Sequence, residues 1–274
     1  MSDWGFVEGA QDLESAGAVT AGSNGTSIST PGGTHTKGSW TQMIASTSID
    51  AVGLLISGNA SGSGEINCLF DIGVGAAGSE QVFVPNLQAK RMPSADGPVG
   101  PYVVFVRIPA GSRVSCRLQH DSSITLNVCA VLIAETMAGV ATGEEVEVYG
   151  ANTGTSKGTL VDAGAAANTK GAWTQLTASA AIDSHWLMLT TMPNSSAAGA
   201  GSHYLVDIGI GAAAAEQVVV PNIHISCATS YGPWRAGVLL PCHIPAGSRV
   251  SLRCQSTTNL AGSRELLCTL HAMG

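Results

Sequence analysis

Ile108-Pro109-Ala110-Gly111-Ser112-Arg113-Val114-Ser115 returns without a change as Ile244-Pro245-Ala246-Gly247-Ser248-Arg249-Val250-Ser251. Working outward from it, Glu80-Gln81-Val82-Phe83-Val84-Pro85-Asn86 recurs at Glu216 to Asn222 with one replacement, and Asp71 to Ala77 recurs at Asp207 to Ala213. Thr36-Lys37-Gly38-Ser39-Trp40-Thr41-Gln42 recurs as Thr169-Lys170-Gly171-Ala172-Trp173-Thr174-Gln175. The offset is 133 positions at Trp40 and Trp173 and 136 at Asp71 and Asp207, so the second copy carries a three-residue insertion between Asp183 and Asp207. A period this long exceeds the roughly 20–50 residues of solenoid repeats and marks a duplicated domain.

The quoted stretch also shows what each copy is made of. In Arg113-Val114-Ser115-Cys116-Arg117-Leu118-Gln119, Val, Cys and Leu alternate with polar residues, the period of a strand with one apolar face. Pro109 and Gly111, with Pro245 and Gly247, supply a tight turn before it. Similar short runs bounded by Gly, Pro, Asn and Ser fill the first copy: an early strand near Ala18, then Trp40–Ala45, Val52–Ser57, Asn67–Ile72, Gln81–Leu87, Tyr102–Ile108, Arg113–His120 and Thr125–Ala134. Their counterparts are Glu147–Gly150, Trp173–Ala178, Trp186–Thr191, His203–Ile208, Gln217–Ile225, Val238–Ile244, Val250–Gln255 and Leu266–His271. No window has a helical period with caps. The expected fold is all-β: two tandem β-sandwich, jelly-roll-like domains of about eight strands each.

The expected organisation is an N-terminal anchor or tail segment over 1–16, a first sandwich over 17–137, a linker over 138–145 and a second sandwich over 146–274. The linker, Ala138-Gly139-Val140-Ala141-Thr142-Gly143 at its core, is short and small, and predicts two sandwiches in line like beads. Trp4 and Phe6, set among Gly and acids, are the candidate anchor residues.

Only 11% of the residues are charged and the formal net charge is −7, against roughly a quarter charged in ordinary domains. Lysine occurs only at Lys37, Lys90, Lys157 and Lys170. That argues against a nucleic-acid binder, which needs clustered cations. It also leaves the edge strands with little of the charge that keeps monomers apart, so the surface is expected to be covered by copies of the same chain. No apolar run approaches the ~20 residues of a membrane-spanning helix, and Met1 to Leu13, with Asp3, Glu8 and Asp12, has no leader character. A soluble protein made in a reducing compartment is expected. Its seven cysteines read as core hydrophobes, because Cys116 corresponds to Leu252 and Leu118 to Cys254.

Few residues suggest chemistry. Gly73-Val74-Gly75-Ala76-Ala77-Gly78 has dinucleotide-fingerprint spacing, but a strand follows instead of a helix, so a glycine-rich bend is expected. Gly154-Thr155-Ser156-Lys157-Gly158 has the spacing of a nucleophile elbow without the following helix and reads as a flexible loop. His185, His203, His224, His243 and His271, near Cys227 and Cys242, lack zinc-ligand spacing, and their first-copy counterparts Asn67, Gln88 and Arg107 read as solvent-face positions. Asp71/Asp207 and Asp50/Asp183 occur in both copies beside turns and read as Asx-turn residues rather than a glycosidase pair. Trp40 and Trp173 read as covers of a sheet end under a loop. No catalytic residue, metal or cofactor is expected. Trp186, Tyr231, Trp234 and Arg235, found only in the second copy, are candidate contacts for a glycan or a partner protein.

The Thr-Lys-Gly-x-Trp-Thr-Gln starts, the Gln-Val-x-Val-Pro-Asn runs at Gln81–Asn86 and Gln217–Asn222, and the two Ile-Pro-Ala-Gly-Ser-Arg-Val turns together resemble tailed-phage virion proteins. These are accessory spike, fibre or decoration subunits of phages and gene-transfer-agent-like particles. The resemblance extends over nearly the whole chain after residue 17. It implies a non-enzymatic bacteriophage virion protein, made in the bacterial cytoplasm and assembled as a homo-oligomer, trimer or higher, with other virion proteins. It further implies display towards host-surface polysaccharide. A particle-borne polysaccharide-degrading hydrolase and a free lectin-like module are the alternatives.

Overall fold

The computed structural model describes residues 13–19, 24–29, 34–62, 66–91, 97–122, 124–134, 143–194, 202–228, 232–233 and 237–274. The described part of the first copy contains β1 (Leu13–Ala16), β2 (Ala18–Val19), β3 (Asn24–Ser29), β4 (Thr41–Ile44), β5 (Ala51–Gly62), β6 (Ile66–Val74), β7 (Gln81–Arg91), β8 (Gly97–Val104), β9 (Val114–His120) and β10 (Ile124–Ala134). The second contains β11 (Val146–Tyr149), β12 (Ala151–Asn152), β13 (Lys157–Asp162), β14 (Thr174–Thr177), β15 (Ser184–Pro193), β16 (Ser202–Ile210), β17 (Gln217–Ala228), β18 (Gly232–Pro233), β19 (Gly237–Ile244), β20 (Val250–Ser256) and β21 (Glu265–Met273). There is no helix among the described residues.

One sheet of the first sandwich runs β2-β3-β10-β5-β8, with β1 also on β10, and the other runs β4-β9-β6-β7. The second sandwich repeats this as β12-β13-β21-β15-β19, with β11 on β21, and β14-β20-β16-β17-β18. With β1–β3 taken as one interrupted first strand, the sheet orders are first-eighth-third-sixth and second-seventh-fourth-fifth, the jelly-roll arrangement. Alternation drives it. Along β10, Ile124, Leu126, Val128, Ala130, Leu132 and Ala134 point into the core, while Thr125, Asn127, Cys129, Val131 and Ile133 point out. Cys116, Leu118, Leu252 and Cys254 are all fully buried, the cysteines filling core positions that leucine fills in the other copy.

The repeated turn is built as its sequence predicts. Ser112 donates its backbone N–H to Pro109 (3.3 Å), and Gly111 takes a φ of +83°; Ser248, Pro245 and Gly247 (φ +82°) do the same. Each turn is tied to a distant aspartate, Ala110 N to Asp50 (2.9 Å) and Ala246 N to Asp183 (2.8 Å). These aspartates therefore hold a neighbouring turn rather than closing Asx-turns on themselves. The glycine-rich stretch after β6 is a bend, with Gly75 and Gly78 at positive φ; Ala214 adopts the left-handed conformation where the first copy has Gly78.

Three expectations are corrected. Leu13–Ala16, assigned above to the terminal segment, is a strand paired antiparallel with β10, the same role β11 has on β21. Tyr102–Ile108 is not one strand: β8 ends at Val104, and Val106 and Ile108 make isolated bridges to Gly143 and Ala51.

The third concerns the beads. The two sandwiches lie flank to flank, and Val146, Met188, Met192, Leu267 and Met273 of the second belong to the buried cluster that includes the first sandwich's core. β11 and β15 cover β7, and β19 meets β8. The described end of the linker is fixed as well: Arg107 N donates to Gly143 O (3.3 Å), and Glu144 N donates to Gly274 O (2.7 Å). Burying apolar surface of this extent outweighs the freedom a short linker would otherwise allow.

Candidate functional site

The polar residues that repeat between the copies converge on one aspartate in each. Asp71 sits on the outward face of β6, opposite Arg117 of β9. Arg117 Nε donates to its Oδ2 (2.8 Å) and Lys37 Nζ to its Oδ1 (2.7 Å). The register of β7 slips between the partners of Phe70 and Ile72, so Pro85 and Asn86 bulge out. Proline has no N–H to leave unpaired there, and asparagine tolerates the left-handed conformation (φ +49°) that aims its amide at Asp71 Oδ1, 2.8 Å away. The repeated Pro-Asn is thus a device for presenting one amide to one carboxylate.

The second copy reproduces the hub: Lys170 Nζ at 2.8 Å, Arg253 Nε at 2.9 Å and the amide of Asn222 (φ +53°) at 2.8 Å from Asp207. Burial opposes the charge on Asp207, but hydrogen bonds from Lys170, Asn222 and Arg253 hold its carboxyl below the usual carboxylate range. Burial likewise pulls Lys37 below the usual lysine range despite its contact with Asp71. Each arginine is clamped from outside. The Arg117 guanidinium lies 4.4 Å from the Trp40 ring centre and that of Arg253 lies 4.5 Å from Trp173. The indoles rest on Gly73 and Gly209, where no Cβ intervenes. The tryptophans therefore lie on the sheet's outer face, not under a terminal loop. A second tie repeats beside each hub: Arg113 joins Glu80 and Gln42, and Arg249 joins Glu216 and Gln175.

In the first copy only, the second sandwich roofs this face. A groove of about 410 Å³ remains, lined by residues that include His35, Lys37, Asp71, Arg117, Gln119 and Thr153. Ser156 projects from the turn between β12 and β13 at φ +54°, with Oγ 3.0 Å from His35 Nδ1 and 3.1 Å from Gln119 Nε2. A Ser–His contact in a Gly-x-Ser-x-Gly setting has the ingredients of a nucleophile, but Ser156 has no exposed surface. It is a hairpin docked onto the first sandwich, not the flexible loop expected. Further along the seam, His271 Nε2 donates to Pro85 O (2.8 Å) and Lys90 Nζ to Pro193 O (2.6 Å). Asn67, Gln88 and Lys90 are buried, whereas Arg107 is exposed. The solvent-face reading thus fails for Gln88, which lies against Gly158 of the second sandwich, and for Asn67, which is buried and hydrogen-bonded to Asp121.

The candidate contact residues separate. Trp186 is half-buried and meets Phe105 edge to face, ring centres 5.2 Å apart, within the seam. Tyr231, Trp234 and Arg235, and the candidate anchors Trp4 and Phe6, lie outside the described residues. His185 stacks on His243 (5.5 Å) and His203 on His224 (5.6 Å), both pairs exposed. Among the described residues no group of three His, Cys, Asp or Glu side chains is placed to hold a metal ion. Burial pushes the Cys68 and Cys254 thiols up to about 12, which keeps them inert. The hub was missed in the sequence, although Lys37, Asp71 and Arg117 recur at matching positions in the second copy.

No family model and no curated protein matches the sequence. Solved structures similar to the chain include that of the STIV MCP, at 10% identity over 90% of this chain and 95% of that one with a TM-score of 0.34. Another is that of the infectious bursal disease virus Gx strain, at 14% identity over 95% of this chain and 76% of that one with a TM-score of 0.18.

Proposed function

We propose that this chain is a non-enzymatic structural subunit of a virion-like particle, of the spike, fibre or decoration kind, that works as a homo-oligomer. The observation that carries this reading is the saturation of its duplicated charged sites. Both oxygens of Asp71 and of Asp207 are engaged by cations and a backbone amide of their own sandwich. Hydrolysis of a glycoside needs one carboxyl free to give a proton and another free to attack or activate water. Groups locked identically in two copies hold sheets together instead. The ion-poor exterior and the virion-protein motifs support the same reading. Attachment to host polysaccharide rests on the sequence Tyr231-Gly232-Pro233-Trp234-Arg235 alone, two aromatic residues and an arginine within five positions, residue types suited to sugar rings.

Mass spectrometry of particles purified from producing cells tests the placement, and the chain is expected at stoichiometric copy number. Its absence from particles overturns the reading. Incubation of the chain with host capsule is expected to leave polymer length unchanged; shortening of the polymer would identify a depolymerase. Substituting alanine at Tyr231 and Trp234 is expected to abolish binding to host cells, and undiminished binding removes the glycan role.

A further inference from the structure

The contact between the two sandwiches is not reciprocal. The second sandwich contributes the outward face of its β11-β21-β15-β19 sheet, and the first contributes the outward face of β7 and its neighbours. Two apolar cross-strand rows form one end of the pressing surface, Val148, His271, Met188 and Leu239 in register and Val146, Met273 and Trp186 beside them; Thr190 with Thr269 and Met192 with Leu267 continue it. The receiving surface is the face that buries Gln88, Lys90 and Gln119.

Because the chain is duplicated, each surface exists a second time, and among the described residues neither second instance is covered by the other sandwich. On the first sandwich the two apolar rows correspond, strand for strand, to Ser15, Val131, Leu55 and Val103, and to Leu13, Ile133 and Gly53, while the continuing rows correspond to Ser57 with Cys129 and Asn59 with Asn127. The two apolar rows form a stripe in which Leu13 is 52% and Leu55 36% exposed and Val103, Val131 and Ile133 are half-buried, while Gly53 at its end is buried beside Phe105. On the second sandwich the receiving face is open. Pro221, Asn222 and His224 are exposed where Pro85 and Asn86 are half-buried and Gln88 is buried. Beside the hub of Asp71 the turn between β12 and β13 meets His35 and Gln119, whereas the paired side chains of the two hubs themselves are similarly exposed.

We infer that the open receiving face of the second sandwich binds the apolar stripe of the first sandwich of another copy of this chain, repeating between chains the docking seen within one. This deepens the reading of the chain as an assembling subunit by naming its two surfaces. A contact between two different faces, repeated by the same rotation, propagates until it closes into a ring or runs on as a filament. The chemistry of the inter-chain version differs in detail: Val131 stands where His271 does and His224 where Gln88 does, so apolar packing replaces the hydrogen bond to the proline carbonyl.

The test uses the full chain and two variants at exposed positions, Leu55→Glu on the stripe and His224→Glu on the receiving face, with circular dichroism confirming that each is folded. Light scattering is expected to give a multiple of 27.7 kDa for the wild type and a single chain mass for either variant. An equimolar mixture of the two variants retains one intact stripe and one intact receiving face, and is expected to form a species of two chains and no larger. A monomeric wild type, a variant that keeps the wild-type mass, or a mixture that stays monomeric overturns the inference. Particle composition is measured separately, so a chain that forms rings but is absent from particles refutes only the virion reading.

Discussion

The Nε2 of His271, on the last strand of the second sandwich, lies 2.8 Å from the carbonyl oxygen of Pro85 in the bulge of the first. A carbonyl can only accept, so the ring carries its proton on Nε2. The same bulge that turns the Asn86 amide towards Asp71 turns the preceding carbonyl towards the seam. One irregularity therefore serves both the hub and the docking.

That histidine makes the fold sensitive to mild acid. Burial pulls its pKa down from 6.5 to about 4, outweighing its backbone hydrogen bonds and the nearby Asp71. Between these values the unfolded chain binds a proton that the folded chain does not, so stability falls as the pH drops from about 6.5 to about 4, by up to about 3 kcal/mol. Urea midpoints at pH 7.5, 6, 5 and 4.5 are the measurement. His271→Gln is expected to be less stable at neutral pH and to show a flatter profile in this window. A wild-type profile flat from pH 7 to 5 would show that the ring is not buried in neutral form.

Asp71→Asn and Asp207→Asn keep the side-chain shape but leave two cations around each position without a counter-charge. Each is expected to cost about 2–4 kcal/mol, below the full value for a wholly buried pair because the partners are partly hydrated. The two losses should agree to within about 1 kcal/mol, since the hubs match. Denaturant titration measures both. An unchanged midpoint would mean that the aspartates are held for a ligand rather than for the sheets.

Gly73→Ala and Gly209→Ala place a methyl group 2.5 and 2.6 Å from the indoles of Trp40 and Trp173. The rings must lift off the sheet, with an expected loss of about 1–3 kcal/mol and a red shift of tryptophan emission as they meet water. Gly111→Ala is the control. Its added methyl group meets nothing within 4 Å and pays only for positive φ, about 1–2 kcal/mol, with emission unchanged.

Period and repetition made the strands readable. The alternation of β10 or of Arg113–Gln119 depends only on which residues enter a core, and duplication supplied each strand a second time. What lies beyond the sandwich was not readable by that route. Gln88, Lys90 and Gln119 occupy outward positions, and a polar residue in an outward position looks the same whether water or another domain covers it. Lys90 reaches Pro193, 103 residues away, and His271 reaches Pro85 across 186; no local pattern encodes such distances. The hubs stood between these cases. Lys37, Asp71 and Arg117 were visible as repeats, but their convergence needed the direct Asp71–Arg117 pairing across β6 and β9 and the slip in β7. Leu13–Ala16 was lost for a different reason: four residues without alternation carry little signal, although their counterpart at 146–149 was recognised in part.

Cys116 and Leu118 exchange identities with Leu252 and Cys254, so β9 and β20 each bring one bulky and one slim side chain to their interior, in opposite sequence along the strand. The two interiors have drifted apart as pairs, each enlargement matched by a trimming two positions away. Grafting a whole strand between the halves would carry its own compensation with it, whereas exchanging either position singly would crowd one layer or hollow another.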